Sequence, residues 1–311
     1  MLVSIIVITY NSSKYVLEAL ESCHRQIKEE RCNFATSHKC NIPSIELVVS
    51  DDCSTDDTFE ICKQWMQSHG DLFERAICTR TTHNGGICWN YNHALKFAKG
   101  MWIKYIAGDD LLRDNCIKSY LSKVDATSKL YFSDMEIINQ IGEHKIFAHN
   151  PIPSGNAVQQ FRHALWRDVC FSGSTIFAKK KQLLQIGGFD MLFPMSEDYP
   201  IAMKHLSNGL SIGNISKPLV CWRQHKESVS QRYDNYYTTS TKDSIWYYTH
   251  RYCLCKGLLL TWYNIWLQRW IMNHKGYGGF HKVIGYFLRC FDLVHLKRKL
   301  IGRPKILEYY Q

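Results

Sequence analysis

Three of the adjacent carboxylate pairs in this 311-residue chain could hold a cation or a ligand: Asp51-Asp52, Asp109-Asp110 and Glu197-Asp198. Neighbouring anions repel and are stabilised by a cation. Mg²⁺ or Mn²⁺ is held through one or two carboxylates together with substrate phosphates, so an Asp-Asp pair on a tight turn suits a metal-bridged diphosphate. A carboxylate there can also accept a base N–H or a ribose hydroxyl, or take the proton of an attacking hydroxyl. Thr9, Tyr10 and Asn11 follow an apolar run and add hydrogen-bonding groups. Arg223 and His225, in Trp222-Arg223-Gln224-His225, can meet phosphate oxygens. Each feature also has a structural reading: Ser54 and Asp56 can cap a helix, as can Asp109-Asp110, and Glu197-Asp198 suits a helix N-terminus. Capping leaves Asp51 and Asp52 unused, and the position of the pairs along the chain favours chemistry.

That position is set by alternating elements. Residues 2 to 8 are a β-branched strand, and Asn11 and Ser12 open an amphipathic helix to about residue 26. Residues 28 to 44 are polar and irregular, an insertion before the strand at 45 to 50. The pattern repeats with helices over 56–66, 86–98 and 114–124 and strands over 74–79 and 102–106. Such alternation predicts an α/β fold with a Rossmann-like, mostly parallel sheet and flanking helices, whose ligands bind beyond the carboxyl ends of the strands. After residue 139 the regularity weakens, and 140 to 170 are expected to be loop-rich. Helices are expected over 179–186, ending at Gly187-Gly188, and over 198–208.

Taken in order, the motifs are SIIVITYNSSKYVLEALES from Ser4, VVSDDCSTDDT from Val48, NGGICWNYNHAL from Asn84 and AGDD from Ala107. GGFD from Gly187, the acidic pair of SEDYP and WRQHKESVS from Trp222 complete the series. Their joint order resembles the family 2 glycosyltransferases with the GT-A fold, over residues 2 to 230. The resemblance implies an inverting transferase that moves a sugar from a nucleotide diphosphate-sugar, by family weight a UDP-sugar, to an acceptor hydroxyl with Mn²⁺ or Mg²⁺ as cofactor. It implies that Thr9, Tyr10, Asn11 and Asp52 line the base and ribose, Asp109 the ribose side, and Asp110 the metal. Asp198 would be the catalytic base, Arg223 and His225 would face the donor diphosphate, and Asn92 carries over as a donor-site residue. Many relatives have Ala-Arg-Asn where this chain has Asn90-Tyr91-Asn92, so an Arg that helps hold the nucleotide is missing.

Other classes fit less well. No GxGxxG follows the first strand and no GxxxxGK[ST] occurs, which argues against a dinucleotide oxidoreductase and a P-loop NTPase. The rival of a different class is a non-catalytic nucleotide- or glycan-binding protein on the same scaffold. Thirteen cysteines, an odd number with irregular spacing, read as reduced thiols of a cytoplasmic protein. Cys23, His24, Cys32, His38 and Cys40 cluster in sequence as candidate zinc ligands, without a CxxC pair.

Of the net charge of +10, residues 231 to 311 hold +9, with 13 Lys and Arg against 4 Asp and Glu. This tail reads as a helical, aromatic and basic extension to the 1–230 catalytic domain. Its longest charge-free apolar stretch, 257–268, is 12 residues, short of the roughly 20 needed to span a bilayer. The expectation is a cytoplasmic protein, peripheral on the inner face of the membrane through these helices, acting on a glycan or lipid-linked acceptor of surface polysaccharide or O-antigen synthesis. Packing of the same helices on the catalytic domain or in an oligomer is the alternative, and no nucleic-acid partner is expected.

Overall fold

The computed structural model describes residues 1–32, 43–139, 141–147, 152–166 and 171–228, with scattered helical positions between 244 and 266. The first half alternates as expected: β1 (Leu2–Thr9), α1 (Val16–Cys32), β2 (Ser44–Asp51), α2 (Thr58–His69), β3 (Arg75–Arg80), α3 (Ile87–Phe97) and β4 (Trp102–Ala107). Then come β5 (Leu111–Leu112), α4 (Cys116–Leu121), β6 (Ser128–Ile138), β7 (His144–Phe147), α5 (Ala157–Trp166), β8 (Phe177–Lys179), α6 (Lys180–Gln185), α7 (Asp198–Ser207) and β9 (Ser211–Arg223).

β1 is buried at every position but its first, as an apolar β-branched strand covered on both faces must be. α1 turns Val16, Leu20 and Cys23 into the core, the i, i+4, i+7 stripe of an amphipathic helix. Burying each such aliphatic side chain stabilises the fold by about 1.5–3 kcal/mol.

The sheet runs β3-β2-β1-β4-β8-β6-β9-β5, with β7 paired to β6. β1 through β4 are parallel, and the β6–β9 pair is also parallel. β8 joins the two parts by antiparallel pairing to both β4 and β6. The α/β fold is therefore as expected, with a parallel N-terminal half and a mixed C-terminal half.

Register places the site. Thr9 pairs with Asp51, and Ile8 pairs with both Ser50 and Ala107, so three strand ends finish at one edge. Gly108 sits where they crowd: its N–H donates to the Ile8 carbonyl at 2.8 Å, and a Cβ there would lie 2.7 Å from Thr9 Cγ2. On the far side, Leu111 pairs antiparallel with Cys221, which carries the preceding Asp109-Asp110 to the end of β9 at Arg223.

The 140–170 stretch is more ordered than its sequence suggests. β7 forms a hairpin with β6, and α5 buries Ala157, Phe161 and Ala164 along one face. Three of the four β7 residues are exposed, and Pro151, Pro153 and Gly155 interrupt the run before α5, which is why neither element stands out by periodicity. Most of the insertion at 28–44, with its zinc-ligand candidates His38 and Cys40, lies outside the described residues.

The chain divides into two compact units, Met1–Ala164 with Asp168–Thr241, and Leu165–Arg167 with Lys242–Gln311. The aromatic-basic helices expected after residue 231 fall almost entirely outside the described residues. Among the described residues no helix is long and apolar enough to cross a membrane.

Candidate active site

Asp110, at the turn after β4, is fully buried and is held from two directions. Its Oδ1 accepts the backbone N–H of Arg223 at 3.0 Å, and its Oδ2 accepts the hydroxyl of Ser174. Asp109 points the other way, with Oδ2 3.0 Å from His225 Nε2, while its carbonyl accepts Arg223 Nε at 3.0 Å. The antiparallel β5–β9 pairing produces this meeting of two motifs far apart in sequence.

Arg223 continues outward. Its guanidinium donates to Glu18 Oε2 at 2.7 Å and lies 5.0 Å from the Tyr15 ring centroid, while the His225 ring is 4.5 Å from the same ring. The start of α1 thus braces the Arg223–His225 strand end.

The third acidic pair approaches from below. Glu197 occupies the N-cap position of α7 without a side-chain capping bond, and Asp198 is the first helical residue, with Oδ1 accepting the Tyr199 N–H at 2.6 Å. Glu197 lies so close over Gly173 that a Cβ there would overlap its carboxylate, and Ser174, the next residue, holds Asp110. Burial first, and then the neighbouring Asp198, push the Glu197 carboxyl well above the usual carboxylate range. Burial and the adjacent Asp109 do the same to Asp110.

A buried Lys104 on β4 lies under this turn and donates to the carbonyls of Tyr105, at 2.6 Å, and Ser174. Burial lowers its pKa to about 8.

Hard oxygen donors, crowded so closely that their ionisation is suppressed, fit a divalent cation. Glu197 Oε2 is buried without a hydrogen-bond partner among the described residues, as is His225 Nδ1. Asp110 and Glu197 are the carboxylates here that could hold such an ion.

The residues that the sequence assigns to the nucleotide side sit at the neighbouring strand ends and on α3. Thr9 Oγ1 donates to Asp51 Oδ1 at 2.9 Å. Tyr10 is 42% exposed, the one aromatic ring presented at the end of β1. Asn11, at φ 51°, accepts the Thr55 N–H through Oδ1 at 2.8 Å and donates its own N–H to Ser54 Oγ at 2.9 Å, clasping the two loops together. The Asp52 carboxylate accepts Thr81 Oγ1 at 2.9 Å and the Gly86 N–H at 2.8 Å, which draws the loop before α3 to the same edge. Asn92 bonds both ways to the Phe189 backbone, each at 2.9 Å, and so fastens the GGFD loop to α3.

The model of "Glycosyl transferase family 2" matches residues 4–181. The chain belongs to this family. It is therefore a glycosyltransferase, and the matched span contains the Asp51-Asp52 and Asp109-Asp110 pairs.

Among relatives, the chain is 26% identical over 233 residues to the UDP-Glc:alpha-D-GlcNAc-diphosphoundecaprenol beta-1,3-glucosyltransferase WfaP of Escherichia coli, covering 74% of this chain and 80% of that protein. It is 30% identical over 139 residues to the poly(ribitol-phosphate) beta-N-acetylglucosaminyltransferase TarS of Staphylococcus aureus. That match covers 45% of this chain and 21% of TarS, so most of the longer protein has no counterpart in it. The crystal structure of TarS 1-349 in complex with UDP-GlcNAc superposes with a TM-score of 0.58 at 23% identity, covering 80% of this chain and 66% of that one. A mannosyltransferase from Pyrobaculum calidifontis, in complex with GDP-Man and Mn²⁺, gives 0.55 at 16% identity, covering 97% and 76%. The glycosyltransferase has the GT-A fold of these neighbours.

Some of its site residues carry no sequence motif of their own. Ser174 belongs to a short 3₁₀ turn, Gly173–Thr175. Tyr15, just before α1, and Glu18, in its first turn, look like ordinary helix-start residues. Lys104 did leave a signal, a single charge within the otherwise apolar strand Trp-Ile-Lys-Tyr-Ile-Ala. Tyr91, where relatives have Arg, is buried between Phe189, stacked at 4.9 Å, and Tyr105, edge-on at 4.6 Å.

Proposed function

We propose that this glycosyltransferase moves a hexosyl or N-acetylhexosaminyl group from a UDP-sugar to a hydroxyl of a lipid-linked glycan in surface polysaccharide synthesis, with inversion at the anomeric carbon. The observation that carries this reading is the convergence of Asp109-Asp110, Arg223 and His225 at one edge, with Glu197-Asp198 reaching the same turn through Gly173-Ser174. A binding protein would have no need of so many closely spaced, mutually destabilising acids. The lipid-linked acceptor is suggested by the acceptor in the name of WfaP. The +9 tail would favour an anionic membrane surface, on the cytoplasmic face where such acceptors are assembled.

In this reading Tyr10 stacks on the base, Thr9 and Asn11 shape the ribose edge, and Asp52 holds the Gly85–Gly86 backbone that closes the base side. Asn92 acts through the Phe189 loop that it fastens. Asp109 faces the ribose, and Arg223 and His225 bind the diphosphate. Asp110 would hold a divalent ion, whose chemistry would be to supply positive charge to the leaving diphosphate. Asp198 takes the proton of the acceptor hydroxyl as its oxygen attacks the anomeric carbon, on the face opposite the departing nucleoside diphosphate.

Purified enzyme supplied with UDP-glucose or UDP-GlcNAc and an undecaprenyl diphosphate-linked sugar should give a product of inverted anomeric configuration by NMR. Asp198→Asn should keep donor affinity while transfer falls by about 10²–10⁴-fold. Undiminished transfer by that variant, or a retained configuration, would remove Asp198 from the role of base.

A further inference from the structure

Away from the strand ends, α1 and α2 bring together Glu21, His24 and His69, whose ligating atoms all lie within 4.8 Å of one another. Glu21 Oε2 is 3.5 Å from His24 Nδ1, and Glu21 Oε1 is 3.9 Å from His69 Nε2. We propose that these three side chains bind one late first-row divalent ion, Zn²⁺ by preference, separate from the ion of the transfer reaction.

The orientation of His69 carries the argument. Its Nδ1 lies 3.0 Å from the Trp65 carbonyl, four residues back on α2, and a carbonyl only accepts. Nδ1 therefore carries a proton, which leaves Nε2 facing Glu21, the nitrogen through which this tautomer of the ring would ligate a metal. A backbone carbonyl on one imidazole nitrogen, with the other aimed at a shared point, is the arrangement that fixes a metal-binding tautomer.

Trp65 holds both partners. Its ring stacks on His69 at 4.6 Å and 8° between planes, and its Nε1–H donates to Glu21 Oε1 at 2.7 Å. At 3.9 Å His69 Nε2 and the carboxylate oxygen are too far apart for a direct hydrogen bond, and in this tautomer both are electron donors. A cation between them satisfies both. Tetrahedral Zn²⁺ places neighbouring ligand atoms about 3.3 Å apart, given bonds of about 2.0–2.1 Å, so small side-chain rotations close the set. Two imidazoles and one carboxylate suit Zn²⁺, Co²⁺ or Ni²⁺ better than Mg²⁺ or Ca²⁺.

Glu21 and His69 keep 43% and 32% of their side-chain surface exposed, so an ion can enter from solvent and a water can complete the shell. Neighbouring Cys23 faces the other way, into the core, where burial pushes its thiol up to about 12. Of the zinc-ligand candidates in the sequence, Cys32, His38 and Cys40 have no described side chain, and His24 joins Glu21 and His69 between the helices. An ion here would cross-link α1 to α2, the helices that follow the Tyr10–Asn11 and Asp52–Asp57 loops.

Calorimetric titration of the full chain with Zn²⁺ tests this, using wild type, His69→Gln, Glu21→Gln and Asp110→Ala, with Co²⁺ absorption as a second readout. The expected result is one Zn²⁺ site that survives in Asp110→Ala and weakens at least about 10-fold in His69→Gln and in Glu21→Gln. Zn²⁺ should raise the melting temperature of wild type and leave that of either ligand variant unmoved. If one variant fails to fold, the other gives the same comparison. Absence of Zn²⁺ binding by wild type, loss of the site in Asp110→Ala, or a thiolate-to-Co²⁺ charge-transfer band would each overturn the proposal.

Discussion

The buried carboxylate of Asp110 accepts the backbone N–H of Arg223 at 3.0 Å, although 113 residues separate them. This bond joins the turn after β4 to the end of β9, and with it the proposed metal side of the site to the proposed diphosphate side. Arg223 contributes its main chain to this bond, while its guanidinium contacts Glu18 and Tyr15.

Ser174 is the second support of Asp110, and its hydroxyl favours the ionised carboxylate. A hydrogen bond to a charged group contributes about 1.5–3 kcal/mol, so Ser174→Ala should weaken Mn²⁺-dependent nucleotide binding about 10-fold or more. Titration of Mn²⁺ at fixed UDP measures this. Tighter binding in the variant would mean that the metal displaces the hydroxyl instead of sharing Asp110 with it.

Tyr91 stands where relatives carry an Arg, yet the position lies in an aromatic cluster with Tyr105 and Phe189. Tyr91→Arg would bury a cation in that cluster and should destabilise the protein by about 3 kcal/mol or more, without tightening donor binding. Thermal melts and UDP titration of the variant check both halves. A stable variant with improved affinity would show that the chain has only lost a donor contact.

His205 on α7 is buried, with Nδ1 donating to the Ile201 carbonyl at 3.0 Å, and burial lowers its pKa to about 4. In the unfolded chain its pKa returns to about 6.5. Between these values the unfolded state binds more protons than the native one, so stability is lost as pH falls from about 6.5 to about 4. The loss reaches about 3 kcal/mol at pH 4. Denaturant unfolding should show His205→Leu losing correspondingly less over that range. An identical acid response in the two proteins would contradict the assignment.

The parallel half of the fold was legible because β1, β2 and β4 are largely apolar runs and polar turn residues follow them. The same logic located Asp52 and Asp109-Asp110, since a strand end is where such a sheet binds ligands. The C-terminal half was less legible. β9 alternates irregularly, with bulged pairing to β6 near Ser133 and Asp134, so no clean period marks a strand that delivers Arg223. Ser174 and Glu18 were invisible for another reason: both act through contacts between distant segments, and neither residue type is unusual where it stands. Asn92 was singled out in the sequence as a donor-site residue, but its contact with the Phe189 backbone is a tertiary fact that the sequence does not show.

The most direct measurement is calorimetric binding of UDP and GDP to wild type and Asp110→Ala, with Mn²⁺ and with chelator. The account predicts that UDP binds with Mn²⁺ present and that this binding is lost with chelator and in Asp110→Ala. Absence of binding by either nucleotide, or binding indifferent to both the metal and Asp110, would contradict the donor site described here and favour a non-catalytic role for the scaffold.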